Sequence, residues 1–287
     1  MPRWPSNRLG KCWSICRGWS LVWLKGPGAR GLAHRFSRTV HVVDSTTIQL
    51  VASCLDWAKH RRRKAAAKCH PRLDLHSFLP RFAIIDTARP ADARRARELC
   101  AGIREGEIVI FDKAYVDFAH WWDLMQRGVF WVTRAKDNLQ YRVLKQLKTT
   151  RDERILSDEL IELVTRQSAQ HYPRPLRRIG AKVKLEDQEV ELVFLTNNLD
   201  WSAVSVADLY RCRWSIEGFF KQIKQTLQLA DFLGQNANAV RWQLWMALLL
   251  YVLLRFMAFI HGWPHSFTRL FTVFRAALWK NGMPLLS

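Results

Sequence analysis

The stretch Tyr210-Arg-Cys-Arg-Trp-Ser-Ile-Glu-Gly-Phe-Phe-Lys-Gln-Ile-Lys224 organises the interpretation of the whole chain. It contains no proline, and its apolar residues recur every three or four positions, which predicts a helix with one buried face. At about 100° per residue, the side chains of Tyr210, Arg213, Glu217 and Lys224 should fall within an arc of about 60° beside that face. One carboxylate would then lie in line with an aromatic ring and two cations.

This line of charge has two interpretations. Arg213 and Glu217 are four residues apart, which is an ordinary ion-pair spacing on a solvated helix. Alternatively, the cations attract phosphate, and the carboxylate would repel that phosphate unless a divalent metal ion lay between them. The second interpretation indicates a metal-dependent enzyme that acts on a phosphate backbone, provided that the chain supplies further carboxylates.

Two aspartates follow predicted strands. Asp44 comes after a valine-rich run within Thr39–Leu50, which predicts two short strands or a hairpin, although a turn aspartate fits equally well. Asp112 follows Glu107–Phe111, a nearly all-apolar segment typical of a central strand covered on both faces. If these strand ends and the helix face converge, Asp44, Asp112 and Glu217 would hold two Mg²⁺ or Mn²⁺ ions about 3.5–4 Å apart.

The neighbouring segments predict an α/β domain. Strands are expected at Arg81–Asp86 and Val129–Thr133, and helices at Pro90–Cys100 and Tyr115–Arg127, the latter closed by Gly128. This alternation of strands and helices is typical of a mixed α/β sheet. Residues from about 138 to 200 instead predict further strands, which indicates a mainly β insertion before the helix described first.

Composition favours a polyanionic partner. The chain has 287 residues, a formal net charge of +20 and a pI of about 10.3, which points to nucleic acid first and to acidic membranes second. Seven of the ten residues in Lys59–Lys68 are cationic or histidine, a density that favours phosphate contact. The candidate DNA-binding residues in this run are Arg61, Arg62, Arg63, Lys64 and Lys68.

Other features narrow the class of protein. The six cysteines show no C-x2-C spacing, so a zinc site is not expected, and reduced thiols in a cytoplasmic protein are the simplest interpretation. No secretory signal is evident. The apolar segment Trp242–Leu254 runs thirteen residues before Arg255, whereas a membrane span needs about 20, so we predict a buried helix within Asn236–Ile260 and no membrane association. Residues 1–37 predict an irregular basic arm rich in tryptophan, and residues 261–287 a C-terminal tail.

The spacing Tyr-x2-Arg-x3-Glu-x6-Lys resembles the signature of the DDE transposases of the insertion-sequence-four type. Asp44-Ser45-Thr46-Thr47 resembles the first aspartate motif of that family, and Ile110-Phe111-Asp112-Lys113-Ala114-Tyr115 resembles the second. The resemblance covers roughly residues 38–260. It departs from the family at Ala114, where glycine is usual, in the absence of tryptophan between Trp131 and Trp201, and in residues 1–37, which do not resemble the N-terminal DNA-binding region of relatives.

The resemblance implies an RNase H-like mixed sheet flanked by helices, with a β insertion before the last catalytic helix. It implies that Asp44, Asp112 and Glu217 bind two Mg²⁺ or Mn²⁺ ions, and that Tyr210, Arg213 and Lys224 contact DNA phosphates. The expected activity is cleavage and strand transfer of double-stranded DNA at the ends of an insertion sequence, by a homodimer associated with the bacterial nucleoid.

Three alternatives remain open at this point. A truncated, non-catalytic copy could bind the ends of the element and regulate transposition, and the unusual N-terminus favours that hypothesis. A metal-dependent nuclease without a joining step would use the same carboxylates. A membrane-associated protein fits least well. The terminal repeats, the target sequence and the transposition route are not encoded in any motif of the chain.

Overall fold

The computed structural model describes residues 38–50, 54–61, 64–87, 92–147, 152–185, 188–226, 234 and 236–281. The predicted N-terminal arm, residues 1–37, lies outside the described residues, as do Arg62 and Arg63.

One large mixed sheet runs through the described part of the chain. Its order is β2-β4-β1-β6-β7-β11-β10-β9-β8, with β3 and β5 also paired to β4. The strands are β1 Val40–Val43, β2 Thr46–Leu50, β3 Lys59–Arg61, β4 Lys64–Asp74, β5 Leu79–Thr87, β6 Ile108–Phe111, β7 Phe130–Arg134, β8 Tyr141–Gln146, β9 Ile155–Leu163, β10 Leu176–Leu185 and β11 Gln188–Thr196.

Helices cover both faces of this sheet. They are α1 Leu55–Ala58, α2 Ala93–Cys100, α3 Phe118–Gln126, α4 Arg166–His171, α5 Ala203–Arg211, α6 Ser215–Lys221, α7 Ala237–Ile260 and α8 Phe267–Asn281. Short 3₁₀ turns occupy Lys113–Tyr115 and Cys212–Trp214, and a π-helical turn occupies Gln222–Thr226. The predicted tail beyond residue 260 is therefore helical over much of its length.

The strands β1, β6 and β7 form the parallel centre of the sheet. All four residues of β1 and of β6 are buried. Val42 and Ile110 pack into one core with α5, α6 and α7, whereas Val43 and Phe111 pack into the other with α2 and α3. The prediction of a central strand covered on both faces is therefore confirmed. Parallel strands typically lie between two layers of helices in this way.

Strand β4 is the element that sequence reasoning missed. It is 11 residues long and pairs antiparallel with β1, β2, β3 and β5. Its Ala65, Ala66 and Ala67 are each 1% exposed, although alanine has a low strand propensity and lysines flank the run. Tertiary packing overrides local propensity here. Because β1 and β2 both pair with β4, the alternative of a β1–β2 hairpin is wrong, whereas two short strands are confirmed.

Four strands, β8–β11, with α4 between β9 and β10, occupy the region from about 138 to 200 where further strands were predicted; that this region is an insertion stays a prediction. It extends the main sheet, since β11 pairs with β7 at Leu195 and Thr133. A buried ion pair fixes its base: Arg177 Nη2 lies 2.6 Å from Asp158 Oδ2, and Arg177 Nη1 donates to the Trp201 carbonyl just before α5. The insertion thereby positions the start of the following helices.

Helix boundaries follow local chemistry. Ser202 caps α5 by accepting a hydrogen bond from the Ser205 amide. Asn236 caps α7 through the Ala239 amide. Gly128, which follows α3, has φ +68°, a conformation that favours glycine.

Helix α7 is the one described helix that is long and apolar enough to cross a membrane, with a mean hydropathy of 1.9 and 28% of the window buried. The prediction of a buried helix holds for one of its faces only.

Candidate active site

Asp44 and Asp112 lie side by side at the carboxyl ends of two adjacent parallel strands. In the register between β1 and β6, Val43 is paired with Phe111, so the next residue of each strand leaves the sheet at the same edge. Adjacent strands are about 4.8 Å apart. The predicted convergence of the two aspartates is therefore a direct consequence of strand pairing.

Both aspartates are held in the same local geometry. Asp44 Oδ1 accepts a hydrogen bond of 2.7 Å from the Ser45 amide, and Asp112 Oδ1 accepts one of 2.7 Å from the Lys113 amide. Each carboxylate thus uses one oxygen to close its own turn and leaves the other oxygen for a further partner. This arrangement orients two carboxylates without occupying all their acceptor sites.

Arg213 neutralises this pair. Its Nη1 lies 2.6 Å from Asp44 Oδ2, and the two side chains are 12% and 14% exposed. Burial raises the pKa of Asp44, and the charge of Asp112 adds to that rise, against the opposing effects of Arg213 and the Ser45 amide. Burial disfavours the charge on Arg213, but Tyr210, Asp44 and Asp112 outweigh it, so the pKa of Arg213 is raised. Arg213 thus already supplies a positive charge beside the carboxylates of Asp44 and Asp112.

The helix predicted over Tyr210–Lys224 lies within a helical segment that runs from 203 to 226, and the winding of this segment changes three times. It passes from α5 through a 3₁₀ turn into α6 and then into a π turn. A 3₁₀ turn advances about 120° per residue, which rotates Glu217 away from the line calculated for a regular α-helix. This explains why the single predicted stripe divides into an inner part, Tyr210 with Arg213, and an outer part, Glu217.

The buried ring of Tyr210 lies against the guanidinium of Arg213. The residue is 1% exposed, its ring lies 4.8 Å from that of Phe194, and the Arg213 guanidinium lies 5.6 Å from its centroid. Burial raises the pKa of its hydroxyl. The ring is enclosed by the core, and the contact of Tyr210 with a DNA phosphate stays a prediction.

Glu217 lies on the exposed face of α6. Within the residues that the structure describes, no group of three or more His, Cys, Asp or Glu side chains is placed to hold a metal ion. The structure thus brings Asp44 and Asp112 together and leaves Glu217 outside that pair. The role of Glu217 as a third ligand stays a prediction.

Lys224 and Lys68 both have partners within the protein. Lys224, in the π turn, donates a hydrogen bond of 2.8 Å to the Thr47 carbonyl at the start of β2. Lys68, on β4, pairs with Asp92 just before α2. The backbones of Arg61 and Lys64 lie in β3 and β4. The proposed phosphate contacts of these residues stay predictions.

A buried network links the two aspartate motifs, and sequence reasoning missed it. Ser45 Oγ donates to Asp92 Oδ2 at 3.1 Å, and His70 Nδ1 lies 3.0 Å from the Tyr115 hydroxyl. Tyr115 is fully buried. Burial lowers the pKa of His70 to about 4, so the imidazole is neutral near pH 7. Asp92 was detectable only as a helix-start residue, since the strand that carries its partners was not predicted.

Arg134 is a second missed residue. It ends β7, the third parallel strand, where Thr133 is paired with Phe111. Its charge acts on Tyr210, which places it near the same sheet edge as the two aspartates. Its position at the end of a strand adjacent to β6 was the available indication.

The family comparison agrees with this geometry. The sequence profile described as "Transposase DDE domain" matches residues 35–253, a range that begins before β1 and ends within α7. This chain belongs to the transposase DDE family. The match includes both aspartates, the β insertion and the helices α5 and α6.

Individual relatives agree. The y4zB protein of Sinorhizobium fredii, named as a transposase, is 36% identical over 223 residues, which cover 76% of this chain and 61% of the relative. A protein of the insertion sequence element IS5377 of Geobacillus stearothermophilus, also named as a transposase, is 28% identical over 78% of this chain and 58% of its own length. Transposase InsG of element IS4 of Escherichia coli is 23% identical over 64% of this chain and 42% of its own length. The chain thus spans about three fifths of the first two of these relatives.

A solved structure shares the fold of this transposase-family chain. The piggyBac transposase, in a synaptic complex with hairpin DNA, superposes with a TM-score of 0.53 at 12% identity. The superposition covers 91% of this chain and 56% of that protein. At this level of identity, the likeness shows a shared fold alone.

Proposed function

We propose that this DDE-family protein is a transposase that cuts DNA at the ends of an insertion sequence and joins the cut ends to target DNA in a metal-dependent reaction. The observation that carries the proposal is the pairing of Val43 with Phe111, which presents Asp44 and Asp112 together at one sheet edge. A family match over the same residues adds independent support.

The donor set suits a hard divalent cation. Carboxylate oxygens are the ligands that Mg²⁺ and Mn²⁺ prefer. Burial and, to a smaller extent, the charge of Asp112 raise the pKa of Asp44, so further positive charge at this sheet edge would favour the ionised carboxylate. Asp44 and Asp112, joined by Glu217 from α6, would hold two such ions. When bound, these ions activate the attacking water or 3′-hydroxyl and stabilise the leaving oxygen.

The residues around the aspartates have supporting roles. Arg213 compensates the carboxylates in the free protein and would contact a DNA phosphate in the complex. Tyr210 positions Arg213 through its ring and hydroxyl. Lys224 keeps one donor on Thr47 and has two further donors for phosphate. Together with Glu217, these residues would form the Tyr-Arg-Glu-Lys signature of the insertion-sequence-four type.

The sheet order supports an RNase H-like classification of the catalytic domain. The antiparallel strands β5, β4 and β1 continue into the parallel strands β6 and β7, with the two aspartates after β1 and β6. We propose double-stranded DNA as the partner, since the net charge of +20 favours a polyanion. We also propose a cytoplasmic, nucleoid-associated location.

The test is a cleavage assay, in the presence of Mg²⁺, on duplex DNA that carries the inverted repeats flanking the gene. The parent protein should nick or cut at the repeat ends and, with supercoiled target added, give joined products. Asp112→Asn and Glu217→Gln should each lower cleavage by about a thousandfold or more, because each removes several kcal/mol of metal-borne charge stabilisation.

Binding and cleavage are measured separately. Both variants should retain affinity for the repeat DNA, and Glu153→Gln, at an exposed carboxylate in the turn before β9, should cleave like the parent. DNA binding without cleavage by the parent protein would show a regulatory remnant. Cleavage without joined product would show a nuclease, and cleavage that survives in Glu217→Gln would remove Glu217 from the site.

A further inference from the structure

The turns that follow the two candidate aspartates are each anchored in the protein interior. Ser45, directly after Asp44, donates a hydrogen bond of 3.1 Å from its Oγ to Asp92 Oδ2. Tyr115 closes the 3₁₀ turn that Asp112 begins, because its amide donates to the Asp112 carbonyl at 3.0 Å, and its side chain is fully buried. Each candidate metal ligand therefore has a neighbour in its own turn whose side chain is fastened to another element.

Strand β4 receives both of these anchors on one face. The Tyr115 hydroxyl lies 3.0 Å from His70 Nδ1, and the two rings meet edge to face with their centroids 6.4 Å apart. Lys68, two positions earlier on β4, pairs with Asp92, and His70 Nδ1 lies 3.9 Å from Asp92 Oδ1. Residues two apart on a strand share a face, so the same face of β4 supplies the partner of Tyr115 and the counter-ion of Asp92.

We call Ser45, His70, Asp92 and Tyr115 the brace. Its members come from four segments: the turn after β1, strand β4, the start of α2 and the turn after β6. Ser45 also acts on Tyr115 directly, since burial raises the pKa of the Tyr115 hydroxyl and a hydrogen bond from Ser45 opposes that rise. The brace therefore joins the two aspartate turns to each other as well as to β4.

Asp92 does not cap its own helix. It precedes α2, where an aspartate side chain ordinarily accepts a hydrogen bond from an amide of the first turn, but its carboxylate makes no such bond. Oδ1 instead accepts from Lys68 on β4 and Oδ2 from Ser45 beside Asp44, and the side chain is 11% exposed. The carboxylate is thus used to hold the turn after β1 rather than to stabilise α2.

We propose that the brace consists of positioning residues, which hold Asp44 and Asp112 at the separation that a two-ion site requires and do not themselves bind metal. The inference rests on the proposed function. Strand pairing fixes β1 and β6 as far as Val43 and Phe111, but each aspartate lies one residue beyond that last pair. Two ions about 3.5–4 Å apart demand a defined separation of their ligands, and the brace supplies it where the strand ladder ends.

The test measures binding of Mn²⁺ to the full chain without DNA, from the electron paramagnetic resonance signal of the free ion. Tyr115→Phe keeps the buried ring and removes the hydroxyl, and it should raise the Mn²⁺ dissociation constant about tenfold, as loss of a partner behind a metal ligand typically does. Tyr172→Phe is the matched control, because Tyr172 is 1% exposed and its hydroxyl donates to Met125 Sδ at 3.1 Å, outside the brace. It should bind Mn²⁺ as the parent does.

Ser45 allows a rescue by a conservative variant. Ser45→Ala removes the hydroxyl and should weaken Mn²⁺ binding about tenfold, whereas Ser45→Thr keeps it and should bind nearly as the parent does. Circular dichroism melts set a temperature at which every variant is folded, where a merely structural role would leave metal affinity unchanged. As a second measurement, the Mn²⁺ concentration for half-maximal DNA cleavage should rise in Tyr115→Phe by the same factor, with DNA affinity unchanged.

Asp112→Asn separates failure of the brace from failure of the proposed function, since it removes a ligand and should weaken Mn²⁺ binding more than any brace variant. If it binds Mn²⁺ as the parent does, the metal site is not at this sheet edge, and both proposals fail. If it loses binding while Tyr115→Phe and Ser45→Ala bind like the control, the brace alone is overturned. Asp92→Asn that loses binding as fully as Asp112→Asn would make Asp92 a ligand and contradict its positioning role.

Discussion

The two halves of the candidate site are built by different rules. Asp44 and Asp112 are placed by strand pairing, where one register, Val43 opposite Phe111, fixes both side chains. Arg213, Glu217 and Lys224 are placed by a helical segment whose winding changes from α to 3₁₀ to α to π. Hydrogen bonds between paired strands fix the register of β1 and β6 residue by residue. Along a helix, in contrast, each change of winding alters the direction of every side chain that follows. The strand half of the site, Asp44 and Asp112, is therefore more predictable from sequence than the helix half, which consists of Arg213, Glu217 and Lys224.

Tyr210 gives the largest expected effect in the helix half. Tyr210→Ala should lower the free energy of unfolding by about 3–5 kcal/mol, the usual cost of truncating a buried aromatic side chain. Tyr210→Phe should cost only about 1 kcal/mol, because the ring stays and one hydrogen-bonding group is lost. Urea denaturation of both variants measures this. Lower DNA affinity in Tyr210→Phe at unchanged stability would instead support direct contact of Tyr210 with DNA.

The same contrast between strand pairing and helix winding decides how much of the fold and of the candidate site could be predicted from the sequence. The Val40–Val43 and Ile108–Phe111 strands and the aspartates after them were predictable, because apolar runs that end in Asp are local patterns. Strand β4 was not, because its alanines are buried only once β2 and β5 flank them. Asp92 and His70 were missed with it. The rotation of Glu217 was not predictable, because Tyr210–Lys224 has no residue that marks a 3₁₀ turn.

Arg213 belongs to the helix half and pairs with Asp44 of the strand half, so its removal should affect both halves. Arg213→Gln should lower the free energy of unfolding at pH 7 by about 2–3 kcal/mol, since it leaves a buried carboxylate without its partner. Millimolar Mg²⁺ should then raise the melting temperature of the variant more than that of the parent, because bound cation replaces the lost charge. Equal shifts with Mg²⁺ in the two proteins would mean that Arg213 does not neutralise the aspartates.

A lower pH should reduce the stability of the folded protein around the strand half of the site. Burial lowers the pKa of His70 and of His120 to about 4 each, below the ordinary value of about 6.5. Their neutral forms therefore contribute stability that is complete above pH 6.5 and is lost as the pH falls toward 4. His120 is fully buried and its ring nitrogens have no hydrogen-bond partner among the described residues; its ring lies 5.9 Å from that of Phe111.

His120→Leu should therefore be less sensitive to acid than the parent. Between pH 7 and 5 the parent should lose about 2 kcal/mol more stability than this variant, from the charging of one imidazole. Urea denaturation at the two pH values gives the difference. His171→Leu, at an exposed histidine on α4, is the control and should keep the slope of the parent. An unchanged slope in His120→Leu would place the acid-sensitive group elsewhere.

Lys224 gives the smallest expected change in stability and the clearest separation of roles. Lys224→Met keeps the apolar stem and removes the hydrogen bond to the Thr47 carbonyl, which should cost about 1 kcal/mol or less. If Lys224 also contacts phosphate, the slope of log K against log salt for DNA binding should become shallower by about 0.9. We expect both changes, because one ammonium group has three donors. A stability loss with an unchanged salt slope would confine Lys224 to fastening the π turn against β2, and the helix half of the site would then approach DNA through Arg213 alone.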